Sequence, residues 1–137
     1  MNVVAAIIER DGLVLVCQRK AGQRHAGKWE FPGGKVELDE DFRTALAREL
    51  REELAIEATV GEEIARYPYT YSGRGSIQLI FYRVVQFEGE PMNRIFEQIR
   101  WESVAKLPAY DFLEGDIEFV KKLNAPAVGG NPRSVRD

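Results

Sequence analysis

Short apolar runs alternate with polar punctuation along the chain, and the runs have two different periods. Asn2 to Glu9 and Leu13 to Gln18 are mostly apolar and β-rich, with Arg10-Asp11-Gly12 between them. An Asp-Gly pair between two such runs predicts a β-hairpin. Residues 20–29 form a polar loop, and Glu30 to Val36 is a short strand broken by Pro32-Gly33-Gly34. The period then changes. Leu46, Leu50 and Leu54 recur every four residues, which predicts a helix running to about Leu54. Asp39 is its expected cap, with Glu40 and Asp41 in the first turn, where the helix dipole favours acids. Ala58 to Tyr71 and Ile77 to Phe87 return to strand character on either side of the turn Ser72-Gly73-Arg74-Gly75. Glu88 to Pro91 is a loop and Gln98 to Trp101 a short strand. Asp116 to Leu123 reads as a closing helix that begins near Leu113. This order implies a mixed sheet with helices packed on it, an α/β fold. From Ala125 onward, Gly129-Gly130, Pro132 and alternating charges predict a disordered tail. The expected organisation is one domain over 1–124 and a tail over 125–137.

Length and composition narrow the function. A chain of 137 residues suggests one domain, and 45% hydrophobic content supports a real core. The formal net charge of −3 excludes a general polyanion binder, so a phosphorylated ligand needs metal ions and local arginines. The single Cys17 lies in an apolar strand and reads as a small buried hydrophobe. One cysteine allows no intrachain disulfide, which fits a reducing cytoplasm. Met1-Asn2 leads straight into a strand without a basic leader, and no apolar run approaches the roughly 20 residues of a membrane span.

The candidate chemistry lies in the predicted helix. Glu49, Glu52 and Glu53 occupy positions i, i+3 and i+4, so three carboxylates share one face. Unpaired, they repel by roughly a few tenths of a kcal/mol per pair. A hard divalent cation between them reverses the sign, because carboxylate oxygens are the ligands Mg²⁺ prefers. The Leu46, Leu50, Leu54 stripe is centred about a quarter-turn away. One side of the helix can therefore enter a core while another faces a cleft.

The whole run from Gly34 to Ile56, GKVELDEDFRTALARELREELAI, resembles the Nudix box, the signature of the Nudix hydrolase family. That signature is written Gx5Ex7REUxEExGU, with U a bulky aliphatic residue. Gly34, Glu40, Arg48, Glu49, Leu50, Glu52, Glu53 and Ile56 match it. Ala55 stands where the family has Gly, at a left-handed helix exit that costs Ala about 1 kcal/mol. A slightly altered helix exit is expected there, with the site retained. The resemblance spans about residues 2–124 and implies the Nudix fold, an α/β/α sandwich. It further implies Mg²⁺-dependent hydrolysis of a nucleoside diphosphate linkage, with Mn²⁺ as a substitute.

On this resemblance Glu49, Glu52 and Glu53 are the expected metal ligands and catalytic groups, joined by the main-chain carbonyl of Gly33. Arg48 is expected to pair with a carboxylate of its own helix, and Glu40 to brace the helix start and its loop. Glu97, in FEQIRW, is a further metal ligand or base, or else a solvated loop carboxylate. RKAGQRHAGKWEFPGGKVE and LPAYDFLEGDIEFVKKL resemble the MutT-like branch, which hydrolyses nucleoside triphosphates, including oxidised ones such as 8-oxo-dGTP, to a monophosphate and pyrophosphate. In that branch Arg19 occupies a phosphate-binding position. Phe31 either stacks on a base or packs in the core. Asp116 either reads the base edge, accepting from N–H donors, or caps the last helix. His25 reads as a loop residue. The expected role is nucleotide-pool sanitation, as a cytoplasmic monomer or homodimer with no stable nucleic-acid or membrane partner. ADP-ribose, dinucleoside polyphosphates or capped RNA are alternative substrates. A non-catalytic nucleotide-binding module is a third reading, which the three box carboxylates argue against.

Overall fold

The structure is a computed structural model and describes residues 1–73 and 75–125; the expected tail from 126 to 137 lies outside the described residues. The strands are β1 (Asn2–Arg10), β2 (Leu13–Gln18), β3 (Trp29–Glu30) and β4 (Gly33–Lys35), then helix α1 (Phe42–Leu54). There follow β5 (Glu57–Thr59), β6 (Glu63–Tyr71), β7 (Gly75–Val84), β8 (Gln86–Glu88), β9 (Gln98–Glu102) and helix α2 (Glu114–Asn124). Seven strands form one mixed sheet in the order β3-β2-β1-β7-β6, with β4 on β1 and β9 on β2; β5 and β8 form a separate pair. The β1–β2 hairpin closes at Asp11-Gly12, both with positive φ, as a tight turn matched to strand twist requires. β1 also runs parallel to β7.

β1 explains the layers. Side chains of a strand alternate between faces, and here both faces are covered. Val4, Ala6 and Ile8 enter one core with Leu46, Leu50 and Leu54 of α1. Ala5 and Ile7 enter a second core with Phe119 and Val120 of α2. A strand buried on both faces must be apolar throughout, which is why β1 shows a run rather than an alternation. β2 and β7 divide the same way, with Leu15, Cys17, Ile80 and Tyr82 on the α1 side and Val14, Val16, Leu79 and Phe81 on the α2 side. The three leucines of α1 are fully buried, each worth about 1.5–3 kcal/mol of transfer free energy.

Several boundaries differ from the sequence reading. The cap of α1 is Asp41, not Asp39. Asp41 is extended and accepts from the Thr44 N–H and hydroxyl, both at 2.9 Å. Asp39 instead takes a left-handed turn conformation, φ 65°, so Glu40 and Asp41 precede the first turn. The stretch read as one strand from Ala58 to Tyr71 is two, because at Gly61 the chain turns to donate to the Arg83 carbonyl. The 77–87 run breaks at exposed Val85, where β8 leaves the main sheet to pair with β5. A 3₁₀ segment over Val104–Ala109 had no helical period to announce it.

Ala55 adopts the left-handed exit itself, with φ 58° and ψ 34°, and its N–H donates to the Arg51 carbonyl. The cap is thus kept rather than altered, and the cost stays in the backbone. Ala55→Gly is expected to raise unfolding stability by about 1 kcal/mol. Denaturant unfolding of both proteins measures it, and an unchanged or lower midpoint means Ala55 is not strained.

Candidate active site

Two glycines let β4 meet α1. Gly33, at φ 153°, has no room for a side chain, since a Cβ would overlap the Val4 carbonyl. Its N–H donates to Glu53 Oε1 at 3.2 Å. A Cβ on Gly34 would lie 2.5 Å from the Glu49 carboxyl carbon. The two carboxyls are thereby drawn together against the loop. Burial raises both pKa values. Glu53, 8% exposed, is pushed up to about 9 by burial first and then by the charges of Glu49 and Glu30.

Glu52 does not join them. Its side chain is 59% exposed and pairs with Arg48 at 3.3 Å. Arg48 is the hub of this surface. Its Nε and Nη2 reach Glu40 at 2.7 and 3.0 Å, Nη1 reaches Glu49 at 3.3 Å, and Nη2 also donates to the Lys35 carbonyl at 3.2 Å. Glu40, outside the helix, holds Arg48 and accepts from the Glu37 N–H at 3.0 Å, tying the loop to the helix. The three carboxylates are therefore split, two groups inward and one outward, since Glu52 lies about 100° round the helix from the buried Glu53. Glu97 is exposed; its N–H donates to the Gln18 carbonyl, and its side chain is not among those lining the cleft beside Glu53. Among the described residues, no three His, Cys, Asp or Glu side chains converge as a preassembled metal cluster.

That cleft has a volume of about 370 Å³. Arg19, Glu30, Phe31, Glu53, Tyr71 and Asp116 are among its walls. Arg19 pairs with Glu30 at 3.0 Å and donates from Nε to the Arg24 carbonyl at 2.8 Å, so its guanidinium is partly committed. Phe31 is 3% exposed. It stacks on Phe112 and meets Phe81 and Phe119 edge to face. Of its two readings, core packing is the one the surroundings of Phe31 favour: the ring is buried among three aromatics while still forming part of the cleft wall.

Asp116 is not the cap of α2. Leu113 holds the cap position, and Asp116 is the third helical residue, 6% exposed, at the cleft wall. Burial raises its pKa well above the ordinary value, the nearby charge of Glu30 adds to this, and a hydrogen bond from the Phe31 N–H opposes it. A carboxyl accepts hydrogen bonds when ionised and donates as well when protonated. Glu30 was missed by the sequence reading. Its signal was a charge between Trp29 and Phe31 in an otherwise apolar strand; burial raises its pKa, and Arg19 opposes the rise. Tyr71, also missed, lines the same cleft, and its ring lies 5.5 Å from that of His25.

The profile of the NUDIX domain matches residues 1–123. The chain belongs to the Nudix hydrolase family. It is 46% identical to the CTP pyrophosphohydrolase of Escherichia coli K12 over 125 residues, covering 91% of this chain and 92% of that one. It is 39% identical to the putative 8-oxo-dGTP diphosphatase 2 of Mycobacterium tuberculosis H37Rv over 140 residues, covering 97% and 94%. The solution structure of the Escherichia coli ORF135 protein superposes with a TM-score of 0.81 at 45% identity, covering 93% of both chains. The protein is thus a MutT-like Nudix hydrolase with the Nudix fold, an enzyme acting on nucleotide derivatives.

Nudix hydrolases generally use divalent metal ions. The residues present fit one in their chemistry. Glu49, Glu53 and the Gly33 carbonyl offer only oxygen donors, the kind a hard divalent cation would take. Glu52 joins that set only by leaving Arg48.

Asp116 generates a stability test. Unfolded, it ionises near pH 3.8; folded, it keeps its proton to higher pH. Across that window the native state binds more protons, so its contribution to stability is present at low pH and lost as pH rises. Asp116→Asn is expected to raise Tm at pH 7–8, with the gain shrinking toward zero below about pH 4. Thermal melts of both proteins from pH 4 to 8 decide it, and a gap independent of pH contradicts the assignment.

Proposed function

We propose that this Nudix hydrolase converts nucleoside triphosphates, normal or oxidised, to a nucleoside monophosphate and pyrophosphate, with Mg²⁺ as its cofactor and Mn²⁺ as a substitute. The observation that carries the reading is one cleft that combines Glu53 and Gly33, from the α1 side of the sheet, with Asp116, from the α2 side, and Glu30 and Arg19 between. A nucleotide needs both chemistries, oxygen ligands and cations for its phosphates and a polar reader for its base. A divalent ion bound there supplies phosphate neutralisation and a lowered pKa for the attacking water. Glu49 and Glu53, with Glu52, Glu97 and the Gly33 carbonyl, would hold it. Arg48 orients Glu49 and Glu52. Arg19 offers its guanidinium to phosphate oxygens. Asp116 and Glu30 offer carboxyl donors and acceptors to the base edge.

The names of the two relatives, a CTP pyrophosphohydrolase and a putative 8-oxo-dGTP diphosphatase, support a triphosphate substrate. No described helix is long and apolar enough to cross a membrane. A cytoplasmic role in nucleotide-pool sanitation, as a monomer or homodimer, follows from the same reading. The test is kcat/KM on a panel of normal and oxidised triphosphates, ADP-ribose, dinucleoside polyphosphates and capped RNA, with products resolved by chromatography in a single turnover. A triphosphate is expected to rank first and pyrophosphate to be the primary phosphate product. Orthophosphate as primary product, or a higher rank for one of the other classes, overturns the proposal.

Glu53→Gln keeps the shape of the side chain but removes its charge as a ligand. A drop in kcat of about 10²-fold or more is expected at saturating Mg²⁺. Near-normal turnover removes Glu53 from the essential set.

A further inference from the structure

Two tyrosine hydroxyls grip one glycine at the start of α2. The Gly115 N–H donates to Tyr71 Oη at 3.0 Å, and the Gly115 carbonyl accepts from the Tyr67 hydroxyl at 2.5 Å. Tyr67 and Tyr71 are four residues apart on β6 and so share one face of the strand. The fit leaves no slack. A Cβ on Gly115 would overlap the Tyr71 hydroxyl and lie 3.0 Å from Leu79 Cδ1.

The first turn of a helix has N–H groups with no intrahelical partner, and a side chain at the cap position usually serves one of them. Leu113 holds that position in α2 and makes no side-chain cap bond. Gly115 is the second helical residue. Its orphan N–H is satisfied from across the fold, by a strand residue. Asp116 follows directly, with its carboxyl at the cleft wall beside the Phe31 N–H.

We infer that Tyr71 is a positioning residue for base selection, whose hydroxyl caps α2 through the Gly115 N–H and so fixes where the Asp116 carboxyl meets the base. The inference rests on the reading of Asp116 as the base-contacting group. A hydroxyl bond on the residue before Asp116 sets the rotation of that turn. Losing it leaves the N–H to find water or shift, and a carboxyl displaced by even part of an ångström discriminates less.

Tyr71→Phe removes the hydroxyl and keeps the ring. The experiment measures kcat/KM on four triphosphates for the wild type, Tyr71→Phe, Asp116→Asn and the double variant, with thermal melts to confirm folding. The expected result is an about tenfold loss for the preferred base with Tyr71→Phe and little loss for the poorest, so that the spread across bases narrows. In the Asp116→Asn background the same change is expected to narrow the spread no further, because Tyr71 acts through Asp116. An equal loss on every base, or an additive effect in the double variant, overturns the positioning role and leaves Tyr71 a structural cap. An unchanged spread in Tyr71→Phe, with a narrowed spread in Asp116→Asn, overturns the proposal alone. An unchanged spread in Asp116→Asn overturns the reading of Asp116, and the proposal with it.

Discussion

Helix α1 and strand β4 can touch because Gly33 and Gly34 have no side chains. Any Cβ at Gly33 would enter the β1 backbone, and any at Gly34 would displace the Glu49 carboxyl. That contact brings the Gly33 N–H to Glu53 and crowds two carboxyls into one place. Much of the site's electrostatics descends from it. Burial raises the pKa of both groups, and at Glu53 the neighbouring charge of Glu49 adds to the rise. Arg48 cannot neutralise the pair alone, because it also serves Glu40, Glu52 and the Lys35 carbonyl. Glu40 in turn braces the loop that follows β4 through the Glu37 N–H, so loop and helix hold each other.

The sheet places the remaining groups. β1, β2 and β7 are buried on both faces, and each face has its own helix. The cleft draws Glu53 from one layer and Asp116 from the other. Three buried or half-buried acids, Glu30, Glu53 and Asp116, face it, and Arg19 relieves Glu30 alone among them through an ion pair. Acid-rich and low in dielectric, such a cleft is tuned by what binds in it, since cations and hydrogen-bond donors gain most where carboxylates are least solvated.

The local elements were legible because their causes are local. Asp11-Gly12 forces a turn, and the leucine spacing at Leu46, Leu50 and Leu54 forces a buried helix face. Apolar continuity in β1 and β2 announces strands covered on both sides. The buried Cys17 and the left-handed Ala55 follow from the same kind of reasoning. Cap and strand boundaries were less legible. Asp39, Glu40 and Asp41 are chemically similar neighbours, and only the backbone path through the turn selects Asp41. Val85 carries strand propensity, yet the chain leaves the sheet there because β8 pairs with β5.

By itself the sequence determined the box spacing, the two-sided helix and the family resemblance, since each is a relation between residues close along the chain. The tertiary structure decided which groups meet. Glu30, Tyr71 and Asp116 lie far apart in sequence and reach one cleft through sheet order. Phe31 is buried at the cleft wall because Phe81 of β7, Phe119 of α2 and Phe112 just before α2 converge on its ring. Glu52 stays outward and paired with Arg48, although its spacing with Glu49 and Glu53 permits a shared face, because only Glu53 meets the Gly33 N–H and is buried. Spacing fixes the direction in which a side chain leaves the backbone; burial and partners contributed by distant segments fix where its charge ends up.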